Sequence, residues 1–317
     1  MYKEPIFLEP VFMERIWGGT KLQQLFNYNI PSDQTGEAWV IAAHPHGSST
    51  IMNGPLKGEN LADTWKEHPA LFGKSMKDEH FPLLVKILDA ADYLSVQVHP
   101  DDADAKKIVG EQFGKTECWY ILDCEPNAEI IFGHHALTKD QFLTMVQAEE
   151  WDHLLKRQKV QKGDFVFVPS GTIHAIGKGI VLLETQQNSD ITYRIYDFDR
   201  TEKNGNKREL HIDSAVDVIT FPHEENRPDT VVTTMEDIIM KRLIQSPYFT
   251  VYHWKLDGKV ANPLFDDYLL LTVIEGSGKI LVGGQEFSIK KGNNFILPQT
   301  IETYEIQGQL EMIVSHE

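Results

Sequence analysis

Gln97 and His99 lie in Leu94-Ser95-Val96-Gln97-Val98-His99, whose strict apolar and polar alternation places Ser95, Gln97 and His99 on one face of a β-strand. A second histidine, His174, closes the run Gly163-Asp164-Phe165-Val166-Phe167-Val168-Pro169-Ser170-Gly171-Thr172-Ile173-His174, an apolar strand followed by a Pro-x-Gly turn. A histidine presented this way reads as a metal ligand, the plainer alternative being a surface turn histidine. Between them, Lys115-Thr116-Glu117 puts an ammonium and a carboxylate on one strand face, about 7 Å apart. Imidazole nitrogen and carboxylate or amide oxygen all serve a divalent metal, although the spacing of His99 and Glu117 is loose by itself and Gln97 can equally bond to a neighbour. Two further cations stand where charge is costly. Lys86 interrupts the apolar run Leu83-Leu84-Val85-Lys86-Ile87-Leu88, as expected if it faces a polar cavity. Arg194 lies in Ile191-Thr192-Tyr193-Arg194-Ile195-Tyr196, where its fork suits a pair of oxygens. Its structural alternative is an ion pair with Asp197 or Asp199, and that of Lys115 is a rim lysine.

Other histidine pairs read differently. His44-Pro45-His46 has ligand-like spacing, but its proline and the following Gly47-Ser48-Ser49 indicate a turn. His134 and His135 point to opposite faces of an extended chain and do not easily meet at one ion.

The elements that must carry these residues are short strands rich in Val, Ile, Phe and Tyr, so the chain is expected to be mainly β. Helices are expected after Asn60, after the capping box Thr138-Lys139-Asp140-Gln141, and from about Ser214. Pro222 to Met235 lacks helical or strand periodicity and is taken as the boundary between a metal-binding domain, 1–225, and a second β module, 226–317. That module repeats the Gly-x5-Pro spacing at Gly292 to Pro298. It carries Thr300 in place of the turn glycine and Thr303 in place of His174, so it is expected to hold no metal.

The Gly163 to His174 pattern resembles the second motif of the cupin β-barrels. With Gln97-x-His99, Lys115-Thr116-Glu117 and His174 the chain resembles the type I phosphomannose isomerases in their short bacterial form, zinc enzymes that interconvert mannose 6-phosphate and fructose 6-phosphate. Trp17-Gly18-Gly19, Phe81-Pro82-Leu83-Leu84-Val85-Lys86, His99-Pro100-Asp101-Asp102 and Asn188-Ser189-Asp190 with Arg194 add to the resemblance. It implies two cupin jelly-roll modules with a few inserted helices, and one Zn²⁺ per chain held by Gln97, His99, Glu117 and His174. It also implies Arg194 as the group stabilising an enediolate. Lys86 is then expected to contact the substrate, and Lys115 to act as a base if burial and nearby Zn²⁺ lower its pKa, a metal-bound water being second in line.

Thirty basic against 47 acidic residues leave a formal charge of −17, which argues against nucleic acid as a partner and requires a local positive island for a sugar phosphate. Cys118 and Cys124 are expected to be free thiols in a reducing compartment. Met1 to Ile6 reaches Glu and Pro before any apolar run, and no segment is long and apolar enough to span a bilayer, so a soluble cytoplasmic protein is expected. Two other classes fit parts of the pattern: a sugar-binding bicupin with a structural metal, and an iron-dependent cupin oxygenase. Gln97 weighs against the latter, whose usual set is two histidines and a carboxylate.

Overall fold

A computed structural model of the chain describes residues 2–73, 80–202, 205–226, 228–263 and 268–317. Leu83–Ala90 and Ile180–Gln187 are buried at every residue and pair antiparallel along their full length, as strands covered on both faces do. They form the middle of a six-stranded sheet ordered Phe165–Val168, Glu117–Cys124, Ile180–Gln187, Leu83–Ala90, Thr35–Ile41 and Val11–Gly19. Alternation divides its side chains. Val85, Ile87, Val181 and Leu183 join one core with Leu270, Ile296 and Ile313 of the C-terminal sheet. Leu88, Trp119, Ile121 and Leu182 join another with Leu94, Ile130 and Ile176. Lys86 and Glu184 lie on this second face, toward the five-stranded sheet of Leu155–Lys159, Glu129–His134, His174–Ala175, Val96–Val98 and Tyr193–Tyr196. The two sheets make the first barrel.

A nine-stranded sheet holds the strands from Val231–Met235 to Tyr304–His316. Ile6–Glu9 and Thr50–Ile51 also join it, Ile6 lying opposite Ile296, so the start of the chain is tied into the C-terminal sheet. The interior of this second module is packed with Trp254, Leu271, Phe295, Tyr304, Ile306 and Met312. The repeat is visible in the backbone: Gly163 and Gly292 have φ of 90° and 89°, a conformation that favours glycine, and each turn leads into a four-residue strand.

The expected helices are Leu61–Glu67, Lys139–Gln147 and Ile212–Val218. Asn60 and Thr138 cap the first two by accepting from the backbone N–H of Asp63 and Gln141. Asp102–Ile108 is an additional helix, capped by Asp101. The segment expected to be irregular up to Met235 differs at its end, because Val231–Met235 pairs with Ile238–Gln245. Its residues are exposed on both faces, so no alternation marks this edge strand.

Thr303, the counterpart of His174, is exposed just before Tyr304–His316. Thr303→Ala is therefore expected to leave turnover within about threefold of the parent, as surface substitutions usually do. A steady-state assay checks it, and a loss of orders of magnitude would assign chemistry to the second barrel.

Candidate metal centre

Strand pairing assembles the site. In the five-stranded sheet Gln97 lies opposite His174 on one side and Arg194 on the other. His99 follows two residues after Gln97, on the same face. In the six-stranded sheet Glu117 begins its strand, Trp119 lies opposite Glu184, and Glu184 lies opposite Lys86. The two rows face each other across the barrel mouth.

His99 Nδ1 donates to the Ile191 carbonyl at 2.7 Å and His174 Nδ1 to the Thr172 carbonyl at 2.9 Å. Both Nε2 lone pairs are therefore left facing Glu117. His99 Nε2 is 3.5 Å from Glu117 Oε2, and His174 Nε2 is 3.4 Å from Oε1. Zinc bonds of about 2.0–2.1 Å give tetrahedral edges of about 3.4 Å, so the donor atoms have the separations an ion requires. Burial, then the Lys115 charge, holds His99 well below the ordinary histidine range and His174 at about 4, so both rings are neutral, the form that ligates. The Gln97 amide is 3.3 Å from His174 Nε2, and a rotation of that amide turns its oxygen to the same place. The chemistry and placement of this set fit zinc.

Lys115 differs from expectation in one respect. Burial pulls its pKa down, but Glu117 and Glu184 outweigh burial and hold it above the usual lysine value. Its Nζ is 3.0 Å from His99 Nε2 and bonds to Glu117 Oε2, so an ammonium stands among the donors. Lys86 Nζ is 3.3 Å from Glu184 Oε1 and lies over the Trp39 ring. Arg194 donates through Nε to Ser95 Oγ at 3.3 Å and through Nη1 to the Glu209 carbonyl at 2.8 Å. Asp197 is bonded by Arg200 and Arg208, and Asp199 by Lys207; neither forms an ion pair with Arg194 among the described residues.

Gln97, Lys86, Lys115 and Arg194 line a cavity of about 360 Å³, large enough for a small phosphorylated sugar. Glu37, Glu184 and Arg208 also line it and were not singled out from the sequence. Glu184 carries a signal like that of Lys86, a charge within the apolar strand Ile180–Gln187. Burial pushes Glu37 up, but Lys86, Arg15 and a hydrogen bond from Trp39 together outweigh it and hold the carboxyl below the usual range. A larger cavity of about 590 Å³ near Phe132, Lys156 and Arg157 lies away from this donor set.

The discounted pairs stay outside the centre. His44 and Gly47 close a two-residue turn, and His46 Nδ1 bonds to Asp190 at 2.6 Å, forming a separate group at the rim. His134 is buried and donates to the Thr220 carbonyl, whereas His135 is exposed.

Two β-barrel modules and a buried His-Glu-His centre beside a cation-lined cavity define a bicupin metalloprotein. Residues 6–127 match the family model "Phosphomannose isomerase type I, catalytic domain", and 239–317 match "Mannose-6-phosphate isomerase, cupin domain". The chain is 50% identical to the probable mannose-6-phosphate isomerase GmuF of Bacillus subtilis, over 98% of this chain and 99% of that protein. It is 49% identical to the mannose-6-phosphate isomerase of Streptococcus mutans, over 99% and 98%. The crystal structure of the mannose 6-phosphate isomerase from Bacillus subtilis superposes with a TM-score of 0.96 at 48% identity, over 99% of each chain. The chain belongs to the type I phosphomannose isomerase family.

Proposed function

We propose that this chain is a metal-dependent aldose–ketose isomerase that interconverts mannose 6-phosphate and fructose 6-phosphate through an enediolate. The observation that carries this reading is the convergence of two neutral imidazoles and a carboxylate on a cavity lined by Lys86, Lys115 and Arg194, within a chain matched over its length by this family. One Zn²⁺ per chain is the cofactor, and His99, Glu117, His174 and the Gln97 amide oxygen would hold it. When bound, it would supply Lewis-acid polarisation of the substrate oxygens.

The chain's own residues supply the rest. Arg194, free of Asp197 and Asp199, offers donors to the developing oxyanion. Lys86 binds a substrate hydroxyl or phosphate oxygen. Lys115 carries the proton between neighbouring carbons. In either direction its amine form takes the proton from one carbon and the ammonium so formed returns it to the neighbouring carbon; a cation held on Glu117 would offset the carboxylates that keep Lys115 charged and so favour the amine. The cations make a local positive island in a chain of charge −17.

We assign residues 1–225 to the catalytic module and 226–317 to a supporting one, whose apolar interior favours a packing role. Among the described residues no helix is long and apolar enough to cross a membrane. Two free cysteines and a phosphorylated substrate favour the cytoplasm. An assay coupling fructose 6-phosphate formation to a readable dehydrogenase tests the function. Purified zinc-loaded protein should turn over mannose 6-phosphate, whereas binding without turnover would favour a sugar-binding bicupin, and oxygen consumption with Fe²⁺ an oxygenase.

A further inference from the structure

Trp119 is fully buried, two residues beyond Glu117 on the same strand, so both side chains lie on one face. Its indole has a single N–H and no acceptor. That N–H lies 3.1 Å from Glu117 Oε1 and 3.0 Å from Glu184 Oε2. The two carboxylates come from neighbouring strands and are both buried. Each has its own cation on the far oxygen, Lys115 on Glu117 and Lys86 on Glu184, while the near oxygens share this proton, and Glu117 Oε1 also faces His174 Nε2. The ring also stands edge-on to His174, with centroids 5.4 Å apart.

We propose that Trp119 is a positioning residue for the metal centre, its one N–H bridging Glu117 to Glu184 so that the two carboxylates stay together and Glu117 Oε1 stays aimed at His174. This rests on the reading of Glu117 as a zinc ligand. Two like charges in a buried site repel strongly, and the positive end of the N–H dipole between them offsets part of that repulsion. Losing it leaves a buried acceptor unpaired on a metal ligand, which lets the carboxylate turn toward its remaining partner. No other side-chain donor is recorded for Glu184 Oε2 among the described residues.

The decisive variant replaces Trp119 by β-(3-benzothienyl)alanine, which keeps the bicyclic shape and removes only the N–H; Trp119→Phe accompanies it. Zinc affinity, read by competition with a chromophoric chelator, should fall by about 10–100-fold in both, the usual effect of losing a hydrogen bond to a metal ligand. The metal-free analogue should melt no more than about a few degrees below the metal-free parent, since one buried hydrogen bond is lost while the ring's packing is kept, so the fall in zinc affinity does not come from unfolding. In a Glu184→Gln background the loss on removing the N–H should shrink several-fold, because one of the two charges is gone. Unchanged zinc affinity in the benzothienyl protein would overturn the proposal, and so would an equal loss in both backgrounds. If Trp119→Phe fails to fold, the isosteric analogue alone decides. A His174→Ala control separates the two readings: zinc loss there with an unaffected analogue sinks the positioning role alone, and zinc retention there sinks the metal centre itself.

Discussion

His174→Ala is expected to lose zinc and to lower turnover of mannose 6-phosphate by at least about a thousandfold, and chelation of the parent should do the same until Zn²⁺ is added back. His174 supplies a neutral, fully buried Nε2 lone pair whose direction is set by the Nδ1 bond to Thr172. Without it the set falls to His99, Glu117 and the weaker Gln97 amide. Polarisation by a metal is worth several kcal/mol at the transition state, and about 4 kcal/mol corresponds to about a thousandfold in rate. The fold should survive. His174 opens a two-residue strand, the apolar clusters around Phe142 and Trp254 do not include its ring, and Trp119, which meets that ring edge-on, keeps the rest of its buried cluster. The melting temperature of the metal-free variant should therefore lie near that of the metal-free parent. Zinc content by elemental analysis and turnover on one preparation check this, and unchanged zinc stoichiometry would show that the centre lies elsewhere.

Arg194→Lys should lower turnover by about a hundredfold or more while zinc content and melting temperature stay near the parent values. The change keeps the charge but loses the fork of donors and shortens the reach. Removing one donor to a developing oxyanion costs about 10²–10³ in rate. Stability should hold because Asp197 is satisfied by Arg200 and Arg208 and Asp199 by Lys207, so no described ion pair is broken. The backbone of Arg194 is also anchored independently of its side chain: its N–H donates to His211 Nδ1 and its carbonyl accepts from the His211 N–H. A structural role would give the reverse pattern, a lower thermal midpoint with turnover per folded molecule retained. Near-normal turnover would remove Arg194 from the mechanism.

Much of this was legible in the residues because it depends on short-range stereochemistry. The glycine turn at Gly163 and the Pro-x-Gly turn before His174 read directly as a presented ligand. The alternation from Leu94 to His99 put Gln97 and His99 on one face, and Asn60 and Thr138 cap helices as their types require. A lysine inside an apolar run pointed to a polar cavity, and Lys86 lines one. The missing ligand at Thr303 was equally plain, since a threonine there offers no imidazole.

The tertiary structure decided what depends on pairing between distant segments. Glu184 enters the cavity through the register that sets it opposite both Lys86 and Trp119, and Glu37 through the pairing that sets it opposite Leu88. Ile6–Glu9 belongs to the C-terminal sheet because it pairs with Asn294–Leu297, a contact that no local pattern encodes. Val231–Met235 is a strand through its neighbour, having no buried face to impose alternation. The direction of the Lys115 shift followed from carboxylates at 117 and 184 outweighing burial, and Arg194 was left without Asp197 because Arg200 and Arg208 reach that carboxylate first. Turn geometry and alternation are properties of a few consecutive residues, whereas a charge in a barrel mouth responds to every group brought within a few ångströms by strands far apart along the chain.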